Sequence, residues 1–125
     1  MSLTKLGKYL FLVPFLLFGI NHLRSADMMA GMVPSFVPGG SIWVYITGLA
    51  MLGFVASALL GKYDKLAAVL TAALCLIYAL TVHLPALMGG DGMAIVSLAK
   101  DIGLAGGALM YAGSYAQDSA YATNL

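Results

Sequence analysis

The sequence predicts an all-α membrane protein, a four transmembrane helix bundle with a long first extracytoplasmic loop. Hydrophobic residues make up 62% of the 125 residues and charged residues only 9%, whereas soluble domains average about 25% charged residues. Because so little charge cannot cover a water-facing surface, most of the surface is expected to face lipid. The apolar residues also fall into four segments, each near the length of about 20 residues that a spanning helix needs. These observations favour one domain, residues 1–125, with four spans.

The predicted helices cover about residues 8–24, 42–60, 66–84 and 93–115. Lys5 and Lys8 precede the first apolar segment, a pattern that also begins secretory signal peptides. No small-x-small cleavage site follows it, so we interpret the segment as a retained transmembrane helix. Pro14 lies inside this helix and removes one backbone hydrogen bond, which predicts a kink between Leu10 and Pro14.

Proline and polar residues set the later boundaries. Pro85 is expected to help end the third helix, because proline has no backbone N–H to continue the hydrogen-bond ladder. Residues 61–65 form a short charged loop between the second and third helices. The tail from Gln117 to Leu125 is polar enough to be a solvated or frayed end.

The connection from Ala26 to Ser41 is long and apolar rather than a polar linker. Met28, Met29 and Met32 share one helical face, which predicts a short interfacial helix in this loop. The loop is therefore expected to lie along the membrane interface or against the helix ends.

Four lysines predict the orientation. Lys5 and Lys8 flank the first helix, and Lys62 and Lys65 lie in the second-to-third loop. With four spans these regions share one side, which the positive-inside rule makes cytoplasmic. The prediction is a multi-pass protein of the cell inner (cytoplasmic) membrane with both termini cytoplasmic.

Polar residues beside the apolar segments gather on the side of the long first loop. They are Asn21, His22, Arg24, Trp43, Tyr45, His83, Lys100 and Asp101. An unpaired charge within hydrocarbon costs about 2.5–3.5 kcal/mol on insertion scales, so these groups are expected to face protein. We predict an outer-leaflet polar pocket formed by five of them: His22, Arg24, Trp43, His83 and Asp101.

Several of these residues have an alternative interpretation. His22 and His83 could anchor helix ends among lipid headgroups. A metal site made from both histidines and Asp101 lacks a supporting ligand spacing, so no metal is predicted. Arg24 could snorkel outward, or pair with Asp27 or Asp101. If the fourth helix begins later, Asp101 lies near its N-terminus, where the helix dipole favours a carboxylate.

Cysteine content and net charge exclude several classes. Cys75 is the only cysteine, so there is no intrachain disulfide, CxxC redox pair or cysteine-based metal cluster. Any redox chemistry must use a bound cofactor or groups of a partner. A net charge of +1 gives no basis for a nucleic-acid partner.

Glycines on the second and fourth helices predict close helix packing. Gly103 and Gly107 form a small-xxx-small pair, and Gly48 and Gly53 are expected to act similarly in the second helix. Small residues let two helix backbones approach closely in lipid. Contacts within the bundle are favoured over a dimer contact, because a small bundle needs close internal contacts first.

The order of these features resembles the DoxX family of small four-helix integral membrane proteins, over nearly the whole chain. The residues that carry the resemblance are Phe18-Gly19-x-x-His22-Leu23, Val33-Pro34-x-x-Val37-Pro38, Trp43-x-x-x-x-Gly48, His83-Leu84 and Lys100-Asp101-x-Gly103. One position departs from the pattern. Many relatives carry a glutamate three residues after the second-helix glycine, and this chain has Met51 there, so a role for that carboxylate is not carried over.

The resemblance implies a membrane subunit of a quinone-linked redox complex. DoxX-type proteins are similar to the small membrane subunit of a thiosulfate:quinone oxidoreductase. The implied cofactor is a quinone, held without a covalent bond, and the implied partners are the lipid bilayer and a larger membrane or redox protein, or a second copy in a homo-oligomer. Such a chain is an accessory subunit of an oxidoreductase, and is not expected to be catalytic alone.

Two other functions stay open. The small size and single cysteine also suit a non-catalytic assembly or scaffold subunit of a larger membrane complex. A carrier of a small solute or lipid is weaker, because the sequence has no internal repeats or paired broken helices. A pore is weaker still, because four helices this apolar provide no continuous polar lining.

Overall fold

A computed structural model describes residues 1–125, and the chain is entirely helical with no strands. Four helical segments are long and apolar enough to cross a membrane. The helices are α1 (Leu3–Arg24), α2 (Ala26–Met29), α3 (Ser41–Leu60), α4 (Asp64–Tyr78), α5 (Leu84–Met88) and α6 (Ala94–Ser114). The four spans are α1, α3, the continuous segment Asp64–Met88 that joins α4 to α5, and α6. The sequence prediction of a four-span, all-helical chain is thus confirmed at this level.

The helical bundle has two ends, each formed by different loops and termini. The long-loop end carries residues 25–40 and the connection between α5 and α6, and the tail end carries the N-terminus, residues 61–63 and the C-terminal tail. α1 packs mainly against α3, and α4 packs mainly against α6. Chains that run back and forth in this way bring the ends of consecutive helices together, so residues far apart in the sequence meet at each end.

The hydrophobic core fills the half nearer the tail end. Phe15 and Phe54 are 1% exposed, with ring centroids 5.3 Å apart in an edge-to-face arrangement. Tyr111 adds a second edge contact to Phe54 at 5.6 Å. Ala58 and Ala68 are fully buried between the helices, and their small side chains allow close approach. The other half is less tightly filled, and the candidate site lies there.

Glycines allow a close crossing between α1 and α3. A Cβ on Gly48 would lie 2.6 Å from the Cβ of His22, and a Cβ on Gly19 would lie 3.1 Å from the Gly48 carbonyl oxygen. Gly107 of α6 similarly faces the ring of Phe11. Gly53 and Gly103 have no neighbour within 4 Å of such a Cβ. Only one member of each glycine pair highlighted by the sequence is therefore packed within this chain.

The third span continues beyond its predicted end. The prediction ended it near residue 84, before Pro85, but the helix reaches Met88. Residues Ala79–His83 form a π-helical turn, and Pro85 follows in the first turn of α5. A wider turn shifts the backbone hydrogen bonds by one residue, so the missing N–H of proline does not interrupt the helix. The first span also begins earlier than predicted, at Leu3 rather than near residue 8.

The start of the C-terminal tail is hydrogen-bonded to the bundle rather than frayed, while most of residues 117–125 are exposed, as the prediction of a solvated end expects. The Asp64 carboxylate accepts hydrogen bonds from the backbone N–H groups of Gln117 and Asp118 at 3.0 and 2.8 Å. It also accepts one from the Tyr111 hydroxyl at 2.8 Å. Asp64 was predicted to lie in a charged loop, yet it is 0% exposed. A buried carboxylate at the start of α4 thus holds the tail.

Asp118, in the tail, accepts hydrogen bonds from the connection between α3 and α4. Its carboxylate accepts from the backbone N–H of Tyr63 at 2.7 Å, and its carbonyl accepts from the N–H of Lys65. These hydrogen bonds favour the ionised form, so the pKa of the Asp118 carboxyl lies below its ordinary value. Two aspartates therefore cross-link the tail and the α3–α4 connection.

Candidate functional site

A cavity of about 590 Å³ lies among the four spans in the half nearer the long-loop end. Its walls are largely aromatic and aliphatic, and one side carries the polar residues that the sequence singled out. The aromatic residues that line it are Phe15, Phe18, Phe36, Trp43 and Tyr78. Met51, at the position where the DoxX pattern has a glutamate, contributes an apolar side chain to this lining. The cavity therefore suits a mostly apolar molecule with a small polar group.

The long loop covers this cavity. α2 and a 3-10 turn at Ala30–Met32 fold residues 26–32 back toward the helix ends. The loop residues that line the cavity are Met29, Met32, Val33, Pro34, Phe36 and Val37. Methionine side chains are flexible and polarizable, so this cover can adapt to occupants of different shape.

Trp43 fixes the end of the cover to the second span. Its ring N–H donates to the carbonyl of Pro38. Gly39 has a φ of +111°, and a Cβ there would lie 3.0 Å from the Trp43 ring nitrogen, so only glycine fits this turn without strain. The indole remains partly exposed and lines the cavity.

Asp101 is the buried charge of the site. Its residue exposure is 3%, although it lies in the second turn of α6 within a membrane span. Its Oδ2 lies 3.0 Å from His83 Nε2, and its Oδ1 lies 3.5 Å from Lys100 Nζ. Lys100 also lies over the ring of Phe18, 4.7 Å from the centroid. Two cationic or protonatable groups thus flank a carboxylate that hydrocarbon alone would exclude.

One carboxylate oxygen of Asp101 lacks a hydrogen-bond donor. Oδ2 accepts no hydrogen bond within the protein, because the nearby His83 nitrogen at 3.0 Å is not aligned to donate to it. Buried acceptors without a donor are rare in proteins. Asp101 lines the cavity, and this oxygen is its buried atom beside His83, with less than 1 Å² of accessible surface.

His22 presents an acceptor rather than a donor when it is neutral. Its Nδ1 lies 2.7 Å from the carbonyl oxygen of Phe18, and a nitrogen facing a carbonyl must carry the proton. The neutral ring then leaves Nε2 as an acceptor. The Tyr78 hydroxyl lies 3.4 Å from that nitrogen and can donate to it. His22 is 9% exposed and lines the cavity.

The structure brings together four of the five residues predicted for the pocket. His22, Trp43, His83 and Asp101 all line the cavity. Arg24 does not: it is exposed, forms no ion pair and points away from the lining. Residues two positions apart on a helix differ by about 200°, so Arg24 cannot share the inward face of His22. The suggested pairing of Arg24 with Asp101 is therefore wrong, because His83 and Lys100 fill that role.

Sequence reasoning missed Phe18, Thr47 and Tyr78 as members of the lining. Tyr78 lies three positions after Cys75, on the same face of α4, and both side chains reach the cavity. Because residues three positions apart lie on one helical face, this spacing could have indicated that Tyr78 and Cys75 face the cavity together. The π-helical turn between Tyr78 and His83 alters the ordinary helical register, which is why the spacing alone was ambiguous.

A second, more polar cavity of about 460 Å³ lies beside the first at the long-loop end. It is bordered by Asp91 and by the start of α6. The two cavities share His83, Thr81 and Ser97 among their lining residues. The imidazole of His83 therefore lies on the wall between them.

A comparison with family models decides what this chain is related to. Residues 12–100 match the family described as "Domain of unknown function (DUF8561)". The chain belongs to the DUF8561 family. The matched region runs from the middle of the first span to the start of the fourth, and contains three of the four predicted residues found in the cavity. No curated protein and no solved structure matches this DUF8561 chain. The resemblance to the DoxX family stays a prediction.

Proposed function

We propose that this chain is an integral membrane subunit of a quinone-linked redox complex, and that its cavity holds the ring of a lipid-soluble quinone-type molecule. The observation that carries the proposal is an aromatic-walled cavity inside the membrane spans with a single buried carboxylate cluster, Asp101 with His83 and Lys100. The DoxX resemblance supports the same class of function.

The cavity has the dimensions and chemistry of a site for a small ring. Its volume of about 590 Å³ falls within the range of roughly 300–1,000 Å³ that is usual for small-molecule sites. Phe18 and Trp43 line the cavity, and a planar ring stacks on aromatic side chains or meets their edges favourably. The cavity belongs to the membrane spans, so an occupant with an apolar tail is more suitable than a water-soluble one.

The chain needs a partner for electron transfer. Its single cysteine, Cys75, is buried, and no three His, Cys, Asp or Glu side chains are grouped to hold a metal ion. A redox cycle therefore requires a bound cofactor or groups that a second protein supplies. We propose an accessory role in the inner membrane with both termini cytoplasmic, which would place the cavity in the outer leaflet.

The test uses Trp43, the only tryptophan of the chain. Titration of the purified protein in mild detergent with a short-chain benzoquinone is expected to quench its fluorescence in a saturable manner. Val82 lines the cavity, and Val82→Phe should fill part of it and weaken binding by about tenfold, the loss expected from overpacking of a pocket by about 1.4 kcal/mol. Leu80→Phe is the matched control, because Leu80 lies on the same turn of helix and is 63% exposed.

Quenching that rises linearly without saturation would overturn the proposal, since it would report collisions in the micelle rather than a site. Equal affinities for Val82→Phe and Leu80→Phe would also overturn it. In either case the scaffold function would be favoured, because that function needs no ligand in the cavity.

A further inference from the structure

The first and last spans are neighbours in the bundle, but their backbones do not pack together. The backbones of α1 and α3, of α3 and α4, and of α4 and α6 pack directly against each other, whereas α1 and α6 have no comparable packing. Side chains alone close the space between these two spans. We call this space the α1–α6 groove, and its borders are Phe11, Pro14 and Phe18 of α1 and Lys100, Gly103 and Gly107 of α6.

Two side-chain contacts bridge the groove, and a gap lies between them. The ring of Phe11 lies against Gly107. Nearer the long-loop end, Lys100 Nζ lies 4.7 Å from the ring centroid of Phe18. Gly103 shares the face of α6 that carries Lys100 and Gly107, because residues three and four apart are neighbours on a helix. It is exposed, and a Cβ there would have no neighbour within 4 Å, so the groove is unfilled at this position.

The groove meets the cavity at the level of Phe18. Phe18, Lys100 and Leu104 line the cavity from both sides of the groove, and none of the three is fully buried. Phe18 and Lys100 each lie six residues from the long-loop end of their helix, a depth of about 9 Å at 1.5 Å per residue. In spans about as long as the hydrocarbon core is thick, roughly 30 Å, this depth corresponds to lipid acyl chains. The cavity therefore reaches the lipid-facing surface through the groove.

We propose that the α1–α6 groove binds the apolar tail of the molecule whose ring the cavity holds, and that this tail passes between Phe18 and Lys100 and over Gly103 into the bilayer. The stem of Lys100 is apolar and flexible, so it can line the tail while its amine stays beside Asp101. The inference rests on the proposed function, because the tail belongs to the same lipid-soluble molecule.

The experiment compares two probes with the same benzoquinone ring, one without a tail and one with a decyl tail. Binding to the purified chain is measured by quenching of Trp43 fluorescence in one detergent. Gly103→Phe is expected to weaken binding of the decyl probe by about tenfold or more, because the new ring occupies the path of the tail. Binding of the tail-less probe should be unchanged, because Gly103 does not line the cavity.

Gly53→Phe is the matched control on another span. Gly53 is also exposed, its Cβ would have no neighbour within 4 Å, and it does not line the cavity. Because the same ring is added to a lipid-facing position away from the groove, this variant should bind both probes as the unaltered chain does.

A photoreactive probe locates the tail in the unaltered chain, so that this measurement needs no variant. The decyl probe carries a diazirine at the end of its tail, and its adducts are mapped by mass spectrometry. They are expected on the lipid-facing surfaces of α1 and α6 beside Pro14 and Gly103. Ile46 of α3 also lines the cavity and is 46% exposed, so adducts concentrated around Ile46 would contradict the inference by showing a different exit.

The outcomes separate this inference from the proposed function. If Gly103→Phe weakened both probes equally, or bound the decyl probe as tightly as Gly53→Phe does, the groove would not hold the tail, and the quinone-type site would stay in place. If the unaltered chain bound neither probe in a saturable manner, the proposed function would fail, and the inference with it.

Discussion

Asp64→Ala is expected to destabilise the chain by about 3–5 kcal/mol, the range for removing one member of a buried, hydrogen-bonded charged group. The carboxylate is 0% exposed and accepts from Tyr111, Gln117 and Asp118. Alanine leaves one hydroxyl and two backbone N–H groups without their acceptor. The first consequence should be release of the tail from the start of α4.

The free energy of unfolding can be measured by SDS titration in mixed micelles, and release of the tail by its rate of carboxypeptidase digestion. Asp27→Ala is the control, because the exposed Asp27 accepts no side-chain hydrogen bond and forms no ion pair. A change within about 0.5 kcal/mol is usual for such surface substitutions. Equal stabilities of the two variants, with equal digestion of the tail, would show that Asp64 does not hold the tail.

Gly48→Ala is expected to destabilise the chain by about 1–3 kcal/mol, the usual range for overpacking a well-packed contact. The new Cβ would lie 2.6 Å from the Cβ of His22 and 3.2 Å from the carbonyl oxygen of Gly19. Both atoms are fixed to the backbone of α1, so no rotamer change relieves the contact. The two spans must move apart, and His22 must move with its helix.

Gly53→Ala is the matched control on the same helix, because its Cβ would have no neighbour within 4 Å. The same SDS titration should find this variant as stable as the unaltered chain or slightly more stable, since alanine favours helix over glycine by about 1 kcal/mol in water. If Gly48→Ala proved as stable as Gly53→Ala, that result would contradict the close crossing of α1 and α3.

The four spans could be predicted because length and hydropathy decide them. An apolar segment of this length has few alternatives to a spanning helix, and the segments are interrupted where charge or glycine returns. The end of the third span could not be predicted in the same way. Proline usually stops a helix, but here the π-helical turn Ala79–His83 lets the helix continue through Pro85. A π-helical turn has no recognisable amino-acid composition, so the sequence does not reveal it.

The hydrogen bonds of the tail could not be predicted for a different reason. Polar residues such as Gln117 and Asp118 predict exposure to solvent. Their backbone N–H groups donate to Asp64, more than fifty positions away, and nothing in the sequence indicates this contact. Such a contact depends on the relative placement of α4 and α6. A charge at the first residue of a helix looks the same in the sequence whether it faces water or accepts hydrogen bonds from elsewhere.

Most of the candidate site could be predicted from the order of the four spans. Alternating spans bring the end of α1, the start of α3 and residues near His83 to one level, which is why His22, Trp43 and Asp101 meet there. The sequence prediction wrongly places Arg24 in the pocket, because it considers the charge of this residue but not the face of the helix on which the residue lies. Helical periodicity alone separates it from His22, and applying that period would have removed it.

The most direct test of the proposed function is native mass spectrometry of the chain extracted from its own membrane in mild detergent. A lipid-soluble quinone-type molecule is expected at about one per chain, reduced in Val82→Phe and kept by Leu80→Phe. The same extraction would identify a redox protein that accompanies the chain. Recovery of both variants and the unaltered chain with no such molecule would contradict the proposed function and favour the scaffold function.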